Sequence, residues 1–276
     1  MKHKGTSAVV IGKYQPALAH AIGHVLNTAL GNVGATVVYT KSAVRELNGE
    51  SSGSYESIAA LANAMGAGQV ETLIILDANP AFSTPADLDF AGKLAKVKHV
   101  IHQGPELNET AALSGWHLPS NHFLEEWGDG LAYDGTAAIA QPLIQPLYDT
   151  QGIAELLAGL SGYAHRKSHE IVKEFWRKQT VGLDFELKWR QWLHDGIIAN
   201  TAYSPVNPGA VAGSIAKLAS DFAAKVPKAG GLEIIFRAHP NLYDGRYANN
   251  AWLQELPDPV TKLTWDNAVY VSPKLA

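Results

Sequence analysis

The chain has 276 residues, a formal charge of −4 and a sequence pI of about 6.2, which argues against the basic footprint of a nucleic-acid-binding domain. With 46% hydrophobic and 17% charged residues it lies outside the disordered range, at a length that suits one large domain or two smaller ones. It has no cysteine, which excludes disulfides, zinc–thiolate centres, thiolate-ligated iron–sulfur clusters and cysteine nucleophiles within this chain.

The first half reads as alternating β and α. Ser7–Gly12 (SAVVIG) is an apolar run of strand length, and Pro16 suits the first turn of a helix over Ala17–Leu30 that stops at Gly31-Asn32-Val33-Gly34. Thr36–Tyr39 (TVVY) is β-branched and predicts a second strand, and the polar stretch Lys41–Ser54 a loop. Tyr55–Met65 has helical period. Glu71–Leu76 (ETLIIL) is nearly continuous in apolar residues, as for the middle strand of a parallel sheet covered on both faces. A turn at Asp77-Ala78-Asn79-Pro80, a helix over Asp87–Lys96 and a strand at Lys98–His102 follow. This alternation predicts an α/β fold with a doubly wound, mostly parallel sheet.

From Gln103 the pattern becomes irregular, with a short helix at Glu109–Leu113, a short strand at Trp116–Leu118 and a long loop over His122–Gln141. Helices are expected at Ile153–Leu160, Ser168–Gln179, Phe185–Asp195 and Ala210–Lys225, the last ended by Gly230-Gly231. Leu232–Phe236 and Ala268–Val271 read as strands, with the chain stopping abruptly after the second. No apolar run approaches the ~18 residues of a membrane span, and no apolar h-region follows Met1–Thr6, so neither a span nor a signal peptide is expected.

Several constellations can carry chemistry. Asn79-Pro80 follows a strand, at the end where open α/β sheets bind ligands, although Asn-Pro is also a common turn dipeptide. His20 and His24, two of the eleven histidines, stand one helical turn apart but lack a third ligand at matching spacing, so the reading is no metal. His117, His122, Glu125, Glu126, Asp129 and Asp134 crowd one stretch. They can supply acids and bases, or pin a long loop through bonds to its backbone; His122, Glu125 and Asp134 are assigned the pinning role, with Glu125 and Asp134 partly buried. Dinucleotide-type, P-loop and nucleophile-elbow glycine patterns are all absent, and no catalytic residue is assigned. Phe175, Trp176, Trp189, Trp192, Trp252 and Trp265 read as packing, with a docking patch among those on the central helices.

Leu73–Pro80 (LIILDANP), Asn108-Glu109-Thr110-Ala111, Trp116-His117-Leu118-Pro119, Glu125, Gly128 and Asp134-Gly135 together resemble the third domain of the molybdopterin oxidoreductases. In that family a strand ends in G-x-N-P and E-T-A, A-D-x-x-L-P and E-x-x-G-T segments follow; Gly31-Asn32-Val33-Gly34 is similar to its L-G-N-x-G. One branch is closer. His117-Leu118-Pro119, His122-Phe123-Leu124-Glu125, Trp127-Gly128-Asp129, Tyr133-Asp134-Gly135-Thr136 and Ala248-Asn249-Asn250 through Trp265-Asp266-Asn267 resemble the large iron–sulfur subunit of alternative complex III.

The resemblance implies an α/β dinucleotide-fold domain over residues 1–150, a helical segment over 151–228 and the start of a β-barrel over 229–276. It implies a fragment of a quinol-oxidising respiratory electron-transfer complex, at the periplasmic face of the bacterial inner membrane. The expected partners are the other subunits of that complex and the rest of the parent polypeptide, which carries the clusters. Asn79, Pro80, Ser83 and Glu109 would be vestigial cofactor contacts. The departures are consistent with this: Ala78 replaces the glycine before N-P, Ser114-Gly115-Trp116 lacks the family's aspartate, and Thr136 stands where the family has a phosphate-partnering arginine. The expected role is thus a cofactor-free docking scaffold; the alternative is a genuine domain for molybdopterin guanine dinucleotide.

Overall fold

The computed structural model describes residues 3–43, 46–47, 50–51, 55–163, 166–207, 209, 212–225 and 231–276. In chain order the elements are α1 (Ala17–Ala29), β1 (Glu46–Leu47), β2 (Glu50–Ser51), α2 (Tyr55–Gly66), β3 (Thr72–Leu76), α3 (Pro80–Ser83), α4 (Phe90–Leu94), β4 (His99–Gly104), α5 (Glu109–Ala112), β5 (Trp116–Pro119), β6 (Gly128–Leu131), β7 (Ala137–Ala140), α6 (Ile153–Leu160), α7 (Ser168–Gln179), α8 (Phe185–Asp195), β8 (Ile197–Ile198), α9 (Ala212–Lys225) and α10 (Ala251–Glu255). The chain is a mixed α/β structure of two units. One comprises Met1–Glu50, Trp127–Gln141 and Val172–Leu232, the other Ser51–Glu126, Pro142–Ile171 and Glu233–Ala276. Parts of the Lys41–Ser54 loop, the first residues of the Ala210–Lys225 helix and Gly230 lie outside the described residues.

The second unit is built on a parallel sheet of order β3-β4-β5, in register Ile74↔Ile101 and His102↔His117. Here β4 is the central strand, and β3, expected in the middle, lies at the edge. Ala62 and Met65 of α2, Ile75 of β3, Phe90 and Leu94 of α4, with Leu88, Val97 and Val100, form its core. The helix expected over Asp87–Lys96 is divided into a 3-10 turn, Ala86–Leu88, and α4, with Asp89 between them at φ +46°. A continuous helix would point Leu88 and Phe90 in different directions. The left-handed step, which a short polar side chain tolerates, lets both enter one core.

The first unit carries an antiparallel sheet of order β6-β7-β8. The long loop expected over His122–Gln141 therefore contains a hairpin. In β7, Ala137 and Ile139 are buried and Ala138 and Ala140 exposed, the period-two pattern of a sheet with one covered face. Ala137, Ile139 and Ile198 meet Val172 of α7 and Phe185 and Trp189 of α8, with Trp127, Trp176 and Trp192 against them. Trp127 and Phe185 each stack on Trp189 at ring separations near 6 Å. The Trp176 indole N–H donates to Asp129 at 2.8 Å, so the wet end of this aromatic cluster is hydrogen-bonded.

Four expected strands are absent. Ser7–Gly12 joins no sheet, because the Asn27 side chain of α1 takes the place of a neighbouring strand: its Oδ1 accepts from Val9 N at 2.8 Å and its Nδ2 donates to Val9 O at 2.9 Å. Thr36–Tyr39 is reduced to isolated bridges, Val33↔Val37 and Tyr39↔Val206. Leu232–Phe236 and Ala268–Val271 form no strand and are largely exposed, Phe236 at 88% and Val269 at 88%. Trp252 and Trp265, read as packing residues, are 86% and 58% exposed.

Candidate functional site at the carboxyl end of the parallel sheet

A continuous apolar strand cannot extend past its core without a turn, and β3 ends in one. Asp77 adopts φ +48°, Ala78 follows, and Asn79 leads into α3 with Pro80 at its first position. Asn79 does not cap its own helix. Its amide instead reaches α5: Nδ2 donates to Glu109 Oε2 at 2.7 Å, and Oδ1 accepts from Thr110 Oγ1 at 2.8 Å and Thr110 N at 3.2 Å. Thr110 is fully buried and its Oγ1 also accepts from Ala81 N at 3.0 Å, which closes the tie between the two short helices. The Asn79 bond holds the Glu109 carboxyl below its ordinary range.

A cleft of about 450 Å³ opens beside this tie. Asn79 and Glu109 line it, together with Asp77, Glu106, Arg246 and Asn249. Pro80 is buried, and the Ser83 hydroxyl donates back to Asn79 O at 2.9 Å; neither lines the cleft. The Arg246 guanidinium is committed to Asp244, with Nε and Nη2 at 2.9 and 2.8 Å from its two carboxylate oxygens. Asn249 Nδ2 donates to Glu106 Oε2 at 3.1 Å. Gly245, at φ +96°, is required here, since a Cβ would meet Phe82 Cε1 at 2.8 Å. Sequence reasoning missed Asp77, Glu106, Arg246 and Asn249; the Asp244-Gly245 turn is the signal that marks the last two.

The loop-pinning residues fall in two places. Glu125 accepts from His122 N at 2.9 Å and Leu147 N at 3.1 Å, and these two N–H groups lower its carboxyl. The His122 ring accepts from Leu124 N at 3.3 Å. Asp134 belongs to the other unit, where it accepts from Thr136 N at 2.9 Å in the turn between β6 and β7. It is exposed, not partly buried as expected, because it sits at the tip of the five-residue connection between the two strands. Glu126, beside Glu125, has its Oε2 buried without a partner among the described residues; burial, then the charge of Glu155, raises its carboxyl.

Among the described residues no group of three or more His, Asp or Glu side chains is placed to hold a metal ion. His24, half of the helical histidine pair, bonds the Tyr39 hydroxyl at 2.8 Å.

A pyrophosphate needs cations or convergent N–H donors. This cleft offers three carboxylates and one guanidinium already paired, and both functions of the Asn79 amide are engaged. The residues present do not fit molybdopterin guanine dinucleotide.

No protein-family model matches the chain, and no curated protein does. Among solved structures it is similar to acetylene hydratase from Pelobacter acetylenicus, with a TM-score of 0.34 and 20% identity, over 38% of this chain and 15% of that one. Among the described residues no helix is long and apolar enough to cross a membrane.

Proposed function

We propose that this chain is a cofactor-free docking scaffold in a molybdopterin oxidoreductase-like subunit of a respiratory electron-transfer complex. It would act at the periplasmic face of a bacterial membrane with the other subunits of that complex as partners. Two things support the family part of the reading: the run of motifs from Leu73 to Gln145, and a parallel β3-β4-β5 sheet whose first strand ends in the Asn79-Pro80 turn. One observation carries the scaffold part. The Asn79 amide, the group that a nucleotide base would need, bonds Glu109 and Thr110 and so fastens α3 to α5. The residue inherited in the position of a ligand contact works as an internal brace.

The experiment is a calorimetric titration of the purified chain with guanosine diphosphate. No heat of binding is expected up to millimolar nucleotide, and no rise in thermal midpoint. Saturable one-to-one binding would return Asn79 and Glu109 to a dinucleotide site and overturn the scaffold reading, because a ligand held by the folded state alone must stabilise it, by about 2.7 kcal/mol at a hundred times its Kd.

A further inference from the structure

The register of the parallel sheet places two histidines side by side, His102 on β4 and His117 on β5. Their rings lie near parallel, with centroids 5.1 Å apart and planes 18° apart, and meet edge to edge with the two Nδ1 atoms at 2.9 Å. His102 is fully buried, and its Nε2 lies 3.1 Å from Ala78 O, in the turn that forms one wall of the cleft.

These contacts determine where the protons are. A carbonyl oxygen only accepts, so His102 Nε2 must carry the proton it donates to Ala78. A neutral imidazole has one N–H, so His102 Nδ1 is the acceptor and His117 Nδ1 the donor between the rings. Nε2 of half-buried His117 is left unprotonated and can take up a proton without disturbing either bond. A proton on His102 can only go to Nδ1, where it would meet the His117 Nδ1–H head on. The pair tolerates one positive charge and not two.

We infer that the His102–His117 pair is an acid-operated latch on the carboxyl end of the sheet, closed with zero or one added proton and opened by the second, which separates β5 from β4 and releases the Ala78 turn. Two titratable groups act on His102 besides the bulk of the core: His117 from β5 disfavours its protonation, and Asp77, from the turn after β3, favours it. Asp77 sits in the turn that the latch holds, so the carboxylate that would receive the new charge moves with it.

The test is a pH titration of the whole chain followed by nitrogen–proton correlation spectra of the histidine rings and of the backbone amides. At neutral pH, His102 should appear as the Nε2–H tautomer and His117 as the Nδ1–H tautomer. On acidification the first proton taken up by the pair should leave the amides of Asp77, Ala78 and Asn79 unmoved. Those amides should shift only in a second, lower step, together with His102. His102→Gln, whose amide can still donate to Ala78 O and accept from His117, should keep the fold and abolish the second step. Independent titration of both rings in a single step, or persistence of the second step in His102→Gln, would overturn the latch.

Discussion

Asn79 joins two helices through a single amide, and its removal isolates that tie. Asn79→Ala leaves the buried Thr110 hydroxyl bonded only to Ala81 N and frees Glu109 to solvent. A loss of about 1–3 kcal/mol in urea unfolding is expected, the usual range when a buried polar group loses its partner. Glu126 predicts the opposite sign. Its carboxyl is raised by burial and by Glu155, so the folded chain holds a proton more tightly than the unfolded one, and its ionisation destabilises the fold as pH rises above the ordinary glutamate value of about 4.3. Glu126→Gln should therefore raise the thermal midpoint at neutral pH and leave it unchanged well below that value. His102 works in the other direction again. Burial holds its imidazole below the ordinary value of about 6.5, so as pH falls from there the unfolded chain takes up a proton that the folded chain refuses. Stability should decline with acid across that window, level off below the folded value, and decline less in His102→Gln when thermal midpoints are measured against pH.

At the scale of elements, the antiparallel sheet of the first unit depends on α8. Trp189 is 3% exposed and stacks on both Trp127 and Phe185, so Trp189→Ala should lower stability by about 3–5 kcal/mol in denaturant unfolding, with loss of the near-ultraviolet circular dichroism of the indole cluster. Several elements were legible from local pattern alone. The apolar run of β3, the helix ending at Gly31 and the 3.6-residue period of α9 each announce themselves within a few residues. The failures share one physical cause: a strand is defined by its partner, and the partner is remote. Ser7–Gly12 has the composition of a strand, but an asparagine side chain takes up the Val9 polar groups. The β6–β7 hairpin was hidden because Gly128-Asp129-Gly130 has no strand composition, and it pairs through backbone with Ala138–Ala140. In the site, Asn79 and Glu109 were legible as chemistry and their mutual bond was not. The His102–His117 pair became visible only with the register of β4 against β5.

At the scale of the whole molecule, the segments Leu232–Phe236 and Ala268–Val271 expose side chains of core type, among them Ile234 at 77% and Val269 at 88%. With no strand beside them among the described residues, the amides of Ile234, Ile235 and Val269 should exchange with solvent at near coil rates while Ile75 and Ile101 stay protected; protection at all of them in the isolated chain would contradict the structure. The two units are each assembled from three separated stretches of sequence. This has a consequence for birth order. The β3-β4-β5 sheet needs only residues 72–119 and can form early as the chain leaves the ribosome. The first unit must leave its opening helix without its packing partner until α9 emerges more than a hundred residues later. Long loops close slowly, and an apolar helix that waits stays exposed meanwhile. Nascent chains arrested between α1 and α9 should therefore be the ones that recruit chaperones, and no contiguous excision of the first unit should fold by itself.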